Sequence, residues 1–369
     1  MKKIAITGAD GFIGRNVCVR LKETGLYVPL PTTRETTSEE LNAIVASADA
    51  VIHLAGVNRP KDDVEFTTGN VGTTEALITA LSQAGNTAPI LFASSSRAPE
   101  DTAYGRSKIA AERVLLDHAQ KTGSIVSIFR LPNVFGKWSR PNYNSAVATF
   151  CHNTALGLPI QINDPNAPVT LVYVDDVIEK FLAILAKPER ESGMRDVSPI
   201  YPTTVGALAA TIQGFRAKRD QNLVDTVGTG LERALYATYV SALPTAAFQY
   251  PLVKHEDQRG WFSEFVKTDA AGQVSVFTAH PGITRGGHYH HTKTEKFLVV
   301  QGEALFKFRH IISDAVHEIR TTGTTPIVVE TVPGWSHDVT NVGNSLLVCV
   351  LWANELFNPQ KPDTITHKV

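Results

Sequence analysis

The segment GGHYHHTKTEKFLVVQG, residues 286–302, contains three histidines and a glutamate at the spacing of metal ligands. Imidazole nitrogen and carboxylate oxygen both bind zinc and other divalent metals. Residues two positions apart on a strand share a face, so His288 and His290 are expected to point in the same direction. Nine of the twelve histidines lie after residue 250, so we expect metal chemistry in roughly the last third of the chain.

A second group of reactive side chains, in SSSRAPEDTAYGRSKIAAERV, is suited to proton transfer. Tyr104 and Lys108 are four residues apart and share a face if this segment is helical. The lysine ammonium favours the phenolate, so the tyrosine could exchange a proton with a substrate oxygen near neutral pH. A hydroxyl from Ser94 or Ser95 would complete this catalytic group, and the sequence leaves open which serine does so.

A glycine turn near the amino end is suited to binding a dinucleotide. KKIAITGADGFIGRNVCVRLKE predicts a short buried strand, a tight turn and then a helix. Glycine lets the backbone approach a pyrophosphate, which then faces the amino terminus of the helix. The residues expected to contact the cofactor are Gly8, Gly11, Phe12, Ile13, Gly14, Leu54, Ala55 and Lys108.

The second predicted strand, LYVPLPTTR, ends with Arg34. A carboxylate about 20 residues beyond the glycines would bind the ribose of NAD, and none is present at the end of this strand. An arginine can instead pair with a 2′-phosphate, so the sequence favours NADPH over NADH. The alternative is that Arg34 is a solvated loop residue.

Length and pattern indicate two globular domains. The 369 residues exceed the roughly 250 to 300 at which single hydrophobic cores usually stop growing. Strand and helix patterns alternate in the first part, and from Phe248 onward short apolar strands are broken by Gly, Pro and Asp. We expect a doubly wound α/β domain over residues 1–245 and an all-β barrel or double-sheet domain over residues 246–369.

Charge and composition exclude several classes of function. The formal net charge is −1 and no run of lysine or arginine occurs, so neither nucleic acid nor a membrane surface is expected as a partner. No stretch approaches the ~20 apolar residues of a membrane span, and no signal peptide is recognised. The three cysteines lie far apart without CxxC spacing, which predicts a reducing compartment and a cytoplasmic protein.

Over roughly residues 1–245 the motifs resemble the extended short-chain dehydrogenase/reductase family. The glycine turn, the strand end His53–Gly56, Asn70 before a GT pair, the Ser/Tyr/Lys group, RLPNVFG and VYVDDV all match its pattern. The interval of about ten residues between serine and tyrosine is shorter than in many sugar-nucleotide members. The resemblance implies a Rossmann-like reductase whose nucleotide-sugar contacts come from Arg130, Asn133, Lys137, Trp138 and Arg140.

The carboxyl-terminal part resembles the cupin family. The two cupin motifs match HYHHTKTE and PGWSHDVTN, and Gly282 and Gly302 bracket the first at the family's intervals. Glu295, on the strand after a turn, and His337, on a later strand, can join the two histidines of the first motif. Together they supply three nitrogens and one oxygen, a ligand set suited to a divalent metal. The resemblance implies one zinc ion per chain, bound by His288, His290, Glu295 and His337.

A further resemblance, to the dTDP-4-keto-sugar 3,5-epimerases, rests on DQRGWFSEF (257–265) and TRGGHYH (284–290). Those epimerases share the cupin barrel, and their RGxHY histidine, here His288, removes the proton beside the ketone. Those epimerases generally lack a set of metal ligands, whereas this chain has one. We therefore favour a metal-ligand role for His288 over a role as the base. Three residues stay open as the base: His288, Tyr289 and Lys296. The substrate contacts implied in this domain are Arg259, Glu264, Arg285 and Lys296.

The combination resembles the bifunctional capsular-polysaccharide and O-antigen enzymes of the CapF type. The resemblance implies C3 epimerisation of UDP-2-acetamido-2,6-dideoxy-β-L-xylo-hexos-4-ulose in the cupin domain and NADPH reduction at C4 in the first domain. The implied product is UDP-2-acetamido-2,6-dideoxy-L-talose, a precursor of the N-acetyl-L-fucosamine nucleotide. The resemblance also implies a homodimer. A UDP-4-keto-6-deoxy-HexNAc is thus the expected substrate.

Two other functions are compatible with parts of the sequence. One is a reductase fused to a metal-dependent cupin oxygenase or isomerase that acts on a non-sugar carbonyl, for which iron and oxygen uptake would be evidence. The other is a nucleotide-sensing regulator with the barrel as a ligand-binding module. The Tyr104 and Lys108 pair argues against a sensor, because a sensor needs no proton donor.

Overall fold

The computed structural model describes residues 1–60, 62–252, 255–257, 260–262, 266, 272–355 and 360–369. These form two compact units, one of Met1–Ser145 with Pro168–Thr203 and one of Ala146–Ala167 with Thr204–Val369. Residues 146–167 and 204–245 thus group with the carboxyl-terminal strands, and a domain boundary at residue 245 stays a prediction. No helix within the described ranges is long and apolar enough to span a bilayer.

The described residues form the following elements in chain order. The strands are β1 Lys2–Thr7, β2 Tyr27–Thr32, β3 Ala50–His53, β4 Ile90–Ser95, β5 Val126–Leu131, β6 Asn133–Phe135, β7 Pro168–Tyr173, β8 Gly193–Met194, β9 Tyr201–Thr204, β10 Gln249–Pro251, β11 His255–Asp257, β12 Gly260–Phe262, β13 Gln273–Ala279, β14 Thr284–Tyr289, β15 Glu295–Gln301, β16 Glu303–His310, β17 Val316–Thr322, β18 Ile327–Glu330, β19 Trp335–Asn341, β20 Leu347–Ala353 and β21 Ile365–Thr366. The helices are α1 Phe12–Glu23, α2 Ser38–Ala46, α3 Val64–Phe66, α4 Thr73–Gln83, α5 Ala103–Thr122, α6 Ala146–Leu156, α7 Val174–Ala186, α8 Val205–Arg219 and α9 Gly230–Ser241. A π-helical turn spans Thr67–Gly72, and a 3-10 turn spans Thr245–Ala247.

The first unit is built on a six-stranded sheet in the order β2-β1-β3-β4-β5-β8, and its neighbouring strands are parallel. Parallel strands are buried on both faces, which explains their near-continuous apolar sequences. One face packs on α2, α4 and α5, while α1 packs against α7. This confirms the α/β fold predicted from the alternating pattern. The core between the sheet and α2, α4 and α5 includes Ala5, Val45, Val51, Leu77, Leu81, Ile90, Phe92 and Leu115.

The strands after residue 248 form, in the described part of the chain, two five-stranded antiparallel sheets and a two-stranded ribbon of β11 and β12. The sheet orders are β10-β18-β15-β20-β13 and β17-β16-β19-β14-β21. Aromatic rings from both sheets meet between them, with the Phe297 and Phe306 ring centroids 5.5 Å apart. The all-β architecture expected for this region is confirmed. Within the second unit α6 packs on α8 and α9.

Candidate functional sites

The glycine turn joins β1 to α1 and is crowded by backbone. Gly8 has a φ of +66°, a conformation that side chains other than glycine rarely adopt. A Cβ on Gly14 would lie 2.3 Å from the carbonyl oxygen of Gly8, so no larger residue fits there without movement. The Thr7 hydroxyl accepts the N–H groups of Leu54 and Ala55 at 3.1 Å each, which joins this turn to the end of β3. The first N–H groups of a helix have no partner within the helix, so those of α1 can face an anion bound at this turn.

Tyr104 and Lys108 lie in the first turns of α5, which begins after Thr102. The Thr102 side chain accepts the N–H of Gly105 at 3.0 Å and so fixes the start of the helix. The Lys108 Nζ is buried, 3.5 Å from the carbonyl oxygen of Ala93. Burial lowers the pKa of Lys108 to about 8, and the charge of Glu112 opposes this shift. A buried lysine thus lies one helical turn from the Tyr104 phenol.

Tyr104 is half-buried between two side chains that the sequence analysis did not name. Its ring centroid is 5.5 Å from that of Phe66, and the Arg97 guanidinium carbon is 5.9 Å from it. Arg97 also pairs with Glu100 at 2.9 Å. A second positive group, already paired with a carboxylate, therefore lies near the phenol.

The two candidate serines have different surroundings. Ser94 is buried and its hydroxyl donates to Glu112 Oε1 at 2.5 Å, while Glu112 also pairs with Arg130 at 2.7 Å. Ser95 is half-buried, lies on the other face of β4 and accepts the backbone N–H of Arg97 at 3.2 Å. The Ser94 hydroxyl is thus bound to a carboxylate that is itself ion-paired, which makes Ser95 the better candidate of the two. Ser96, not named in the sequence analysis, is exposed directly after β4 and is another candidate.

Three of the other predicted contacts of the first unit, Arg34, Asn133 and Arg140, are exposed. Arg34 is exposed in the turn after β2, at the same edge of the parallel sheet as the glycine turn. Asn133 is exposed and donates to the carbonyl oxygen of Thr170 at 3.1 Å, and Arg140 is exposed with its guanidinium over the Tyr143 ring. Lys137 is buried instead, and its Nζ pairs with Asp175 at 2.8 Å. Lys137 therefore supports the fold.

The structure brings His288, His290, Glu295 and His337 together. One ligand atom from each lies within 4.8 Å of the other three. Glu295 Oε2 is 3.1 Å from the Nε2 atom of His290 and 3.4 Å from that of His337. His288 and His337 are paired across β14 and β19, while Glu295 begins β15 in the opposite sheet. The four side chains therefore converge between the two sheets.

The electrostatics of this cluster suit a divalent cation. Burial, together with His337 and His290, lowers the pKa of His288 to about 3, and burial also lowers the pKa of His337. Burial alone would raise the pKa of Glu295, but the two neighbouring histidines hold it well below its ordinary value. Neutral imidazoles with an ionised carboxylate are the forms that bind metal. Neither ring nitrogen of His337 makes a hydrogen bond among the described residues, so one of them is available to a metal ion.

The side chains around the cluster are partly other than those predicted from the sequence. Lys293, which the sequence analysis did not name, places its Nζ 2.7 Å from Glu295 Oε1 and holds the oxygen that does not face the histidines. Arg285 is exposed and donates to the carbonyl oxygen of Thr278 at 3.2 Å. Arg259 and Glu264, predicted as substrate contacts, lie outside the described residues.

Two family models match the chain. Residues 4–198 match the NAD dependent epimerase/dehydratase family, and residues 255–365 match the polysaccharide biosynthesis C-terminal domain. A Pseudomonas aeruginosa protein named UDP-2-acetamido-2,6-beta-L-arabino-hexul-4-ose reductase is 51% identical over 362 residues, which cover 98% of this chain and 97% of the relative. The capsular polysaccharide assembling protein CapF of Staphylococcus aureus is 41% identical with a TM-score of 0.68, and the match covers 99% of this chain and 100% of that structure.

The chain belongs to the CapF-type family. The first part alone also matches UDP-N-acetylglucosamine 4-epimerase from Bacillus cereus, at 24% identity and a TM-score of 0.52, over 59% of this chain and 82% of that structure. This last likeness shows the fold only. The CapF-type resemblance that the sequence motifs indicated is therefore confirmed.

Lys296 of this CapF-type chain lies apart from the cluster of three histidines and Glu295. Adjacent residues of a strand point to opposite faces, so Lys296 faces away from the side of β15 that carries Glu295. It forms a buried ion pair with Glu330 and donates to the Tyr250 hydroxyl at 3.1 Å. Burial would lower the pKa of Lys296, but Glu330 raises it above its usual value. These contacts weaken the prediction that Lys296 binds substrate or acts as the base.

Glu330 links Lys296 to α8, because its other carboxylate oxygen pairs with Arg219 at 2.6 Å. Glu330→Gln is expected to reduce the free energy of unfolding by about 3–5 kcal/mol, since it leaves two buried cations without a counter-charge. Urea denaturation followed by circular dichroism measures this change. The control Glu318→Gln removes an exposed carboxylate that is 3.8 Å from Lys307, and it should change the same free energy by less than about 0.5 kcal/mol. Equal stability of both variants would contradict the prediction.

Proposed function

We propose that the chain is a bifunctional sugar-nucleotide enzyme that epimerises C3 of a UDP-4-keto-6-deoxy-HexNAc and then reduces the C4 ketone with NADPH. The observation that carries the proposal is that one CapF-type chain contains two groups of side chains suited to different reactions. One is the Tyr104 and Lys108 pair beside a dinucleotide-type glycine turn. The other is the buried cluster of three histidines and Glu295.

For the substrate we propose the L-arabino configuration. The Pseudomonas relative is named as a reductase of an arabino-hexul-4-ose, whereas the sequence resemblance led us to expect the L-xylo sugar. The L-arabino ketone and 6-deoxy-L-talose share their configurations at C2 and C5 and differ at C3. One inversion at C3 followed by reduction at C4 therefore gives the talose product. The L-xylo ketone already has the C3 configuration of L-talose and differs at C2, so inversion at C3 would lead away from that product.

The C4 ketone makes the hydrogen at C3 acidic, so a base can remove the proton and the opposite face can receive one. A bound zinc ion would supply positive charge for the oxygen that becomes negative during this step. The ligands proposed for zinc are His288, His290, Glu295 and His337, and Lys293 fixes the orientation of the glutamate. We also propose that each chain binds one zinc ion and that the protein is a homodimer.

Strand alternation narrows the choice of base. Tyr289 and Lys296 each directly follow a member of the cluster along a strand, so both face away from it. The buried Tyr289 ring packs against the rings of His291 and His367. Among the three candidates, His288 alone shares the face of the other ligands. If His288 remains a metal ligand during turnover, the base must come from outside these three residues.

Reduction at C4 needs a hydride and a proton. NADPH bound at the glycine turn would supply the hydride. Tyr104 would deliver the proton to the ketone oxygen, and the buried charge of Lys108 would stabilise the phenolate that remains. Epimerisation must come first, because the acidity at C3 disappears once the carbonyl is reduced.

Arg34 provides a test of the cofactor. Arg34→Ala is expected to raise the KM for NADPH by about 10- to 100-fold, the loss expected when a charge-assisted hydrogen bond to the 2′-phosphate is removed. The KM for NADH should stay the same, since NADH has no such phosphate. Steady-state kinetics with both cofactors measure this. Arg113→Ala, an exposed arginine of α5, is the matched control, and equal effects of both variants would contradict the assignment.

A product analysis tests the whole proposal. The protein is incubated with NADPH and a panel of 4-keto sugar nucleotides that includes the arabino and xylo ketones, and NMR gives the configuration at C3 and C4 of each product. We expect the talose nucleotide from the arabino ketone. NADPH oxidation without inversion at C3 would remove the epimerase half of the proposal. Metal analysis and light scattering of the same sample measure the zinc content and the oligomeric state.

A further inference from the structure

Residues near the carboxyl end contact the strand that carries His288 and that ends just before His290. β21 pairs with β14, with Thr366 opposite His288 and Ile365 opposite Tyr289. The His367 N–H donates to the carbonyl oxygen of Gly287 at 2.8 Å. The carbonyl oxygen of His367 accepts the hydroxyl of Ser336, the residue before His337, at 2.6 Å. This segment therefore borders two of the three strands that hold the cluster.

Just before β21, the Asp363 carboxylate binds the turn between His290 and Glu295. Its Oδ1 accepts the N–H of His291 at 2.9 Å. Its Oδ2 accepts the N–H of Thr292 at 2.6 Å, the Thr292 hydroxyl at 3.0 Å and the N–H of Lys293 at 2.8 Å. Hydrogen bonds to an ionised carboxylate are about twice as strong as neutral ones, so this group fixes the path of the turn.

The backbone carbonyl of Asp363 makes a separate contact with the cluster. It accepts a hydrogen bond from Nδ1 of His290, while Nε2 of the same ring faces Glu295. A carbonyl can only accept, so it requires the proton on Nδ1 and leaves the Nε2 lone pair free toward the cluster. Outer contacts of this kind orient metal-binding histidines and raise their basicity.

We propose that Asp363 is a positioning residue for the metal centre. Its carboxylate fixes the turn of residues 291–293, and its carbonyl fixes the ring of His290. The Lys293 backbone belongs to that turn, so the same carboxylate also places the ammonium that holds Glu295 Oε1. The inference rests on the proposed metal site. It adds to that site one residue, Asp363, that is distant from the ligands in sequence.

The test compares Asp363→Ala and Asp363→Asn with the wild-type protein. Each metal-free protein is titrated with zinc in competition with a chromophoric chelator, at a temperature where all of them are folded. The dissociation constant for zinc should rise by about 10- to 100-fold in both variants, the cost typical of losing an outer contact of a metal ligand. Asp314→Asn, which changes an exposed aspartate of the same unit, is the matched control and should bind zinc like the wild type.

Two further measurements separate positioning from general stability. The visible spectrum of the cobalt-substituted protein should change in both Asp363 variants and not in the control, because it reports ligand geometry. Asp363→Glu keeps the charge and should recover part of the zinc affinity. Unchanged affinity in the Asp363 variants, even with a lower melting temperature of the metal-free protein, would overturn the inference. Failure of the wild type to bind any divalent metal would instead overturn the metal site itself.

Discussion

The Tyr104→Phe variant is expected to oxidise NADPH about 100- to 10,000-fold more slowly than the wild type, the range typical of losing a general acid. The substitution removes the phenolic proton and leaves the ring beside Phe66. Exchange of the C3 hydrogen should continue, because that step is proposed to use the metal cluster. The experiment supplies the keto sugar nucleotide in deuterated water, follows NADPH at 340 nm and measures deuterium at C3 by NMR.

The matched control for this prediction is Tyr27→Phe. Tyr27 begins β2, at the edge of the parallel sheet opposite to the glycine turn, and its replacement should leave the rate of reduction unchanged. Lys108→Met should also slow reduction, because the phenolate then lacks its buried counter-charge. Loss of isotope exchange together with reduction in Tyr104→Phe would show that the two reactions are not divided as proposed.

The His290→Ala and His337→Ala variants are expected to lose zinc and C3 exchange together. Each change deletes one of four inner ligands, so the loss of affinity should exceed the roughly 10- to 100-fold that an outer contact costs. Metal analysis after gel filtration should fall from about one ion per chain to a small fraction of it. Reduction of a ketone already inverted at C3 should continue, since Tyr104 and Lys108 are unchanged.

An exposed histidine provides the control for the metal prediction. His280→Ala, just after β13, should keep both zinc and isotope exchange. A stoichiometric divalent ion retained in His290→Ala would remove that residue from the ligand set. Continued exchange in a protein shown to be free of metal would mean that the cluster has no part in epimerisation.

The sequence predicted those parts of the two centres that depend on local spacing. Tyr104 and Lys108 are one helical turn apart, and His290 directly follows β14, two residues beyond His288, so both relations follow from backbone geometry. Strand alternation also predicts the direction of the Lys296 side chain, which the assignment of Lys296 as a substrate contact did not take into account. Because Lys296 directly follows Glu295 on β15, the two side chains point to opposite faces of the sheet.

Contacts between distant segments could not be predicted from spacing. Ser94 donates to Glu112 from a different element, and Asp363 binds a turn some 70 residues earlier. Such pairs depend on how strands and helices pack, which one sequence does not specify. The grouping of α6, α8 and α9 with the carboxyl-terminal sheets has the same origin, since their helical patterns resemble those of the first unit.

The opposite directions of Glu295 and Lys296 restrict how this part of the gene can change. Deleting one codon between His290 and β15 would put Lys296 in the position of Glu295, and inserting one would put Glu295 in the position of Lys296. An ammonium would enter the group of imidazoles in the first case, and a carboxylate would be placed beside Glu330 in the second. Natural length variants are therefore expected to avoid odd-numbered changes in this turn, although its surface residues can still be substituted.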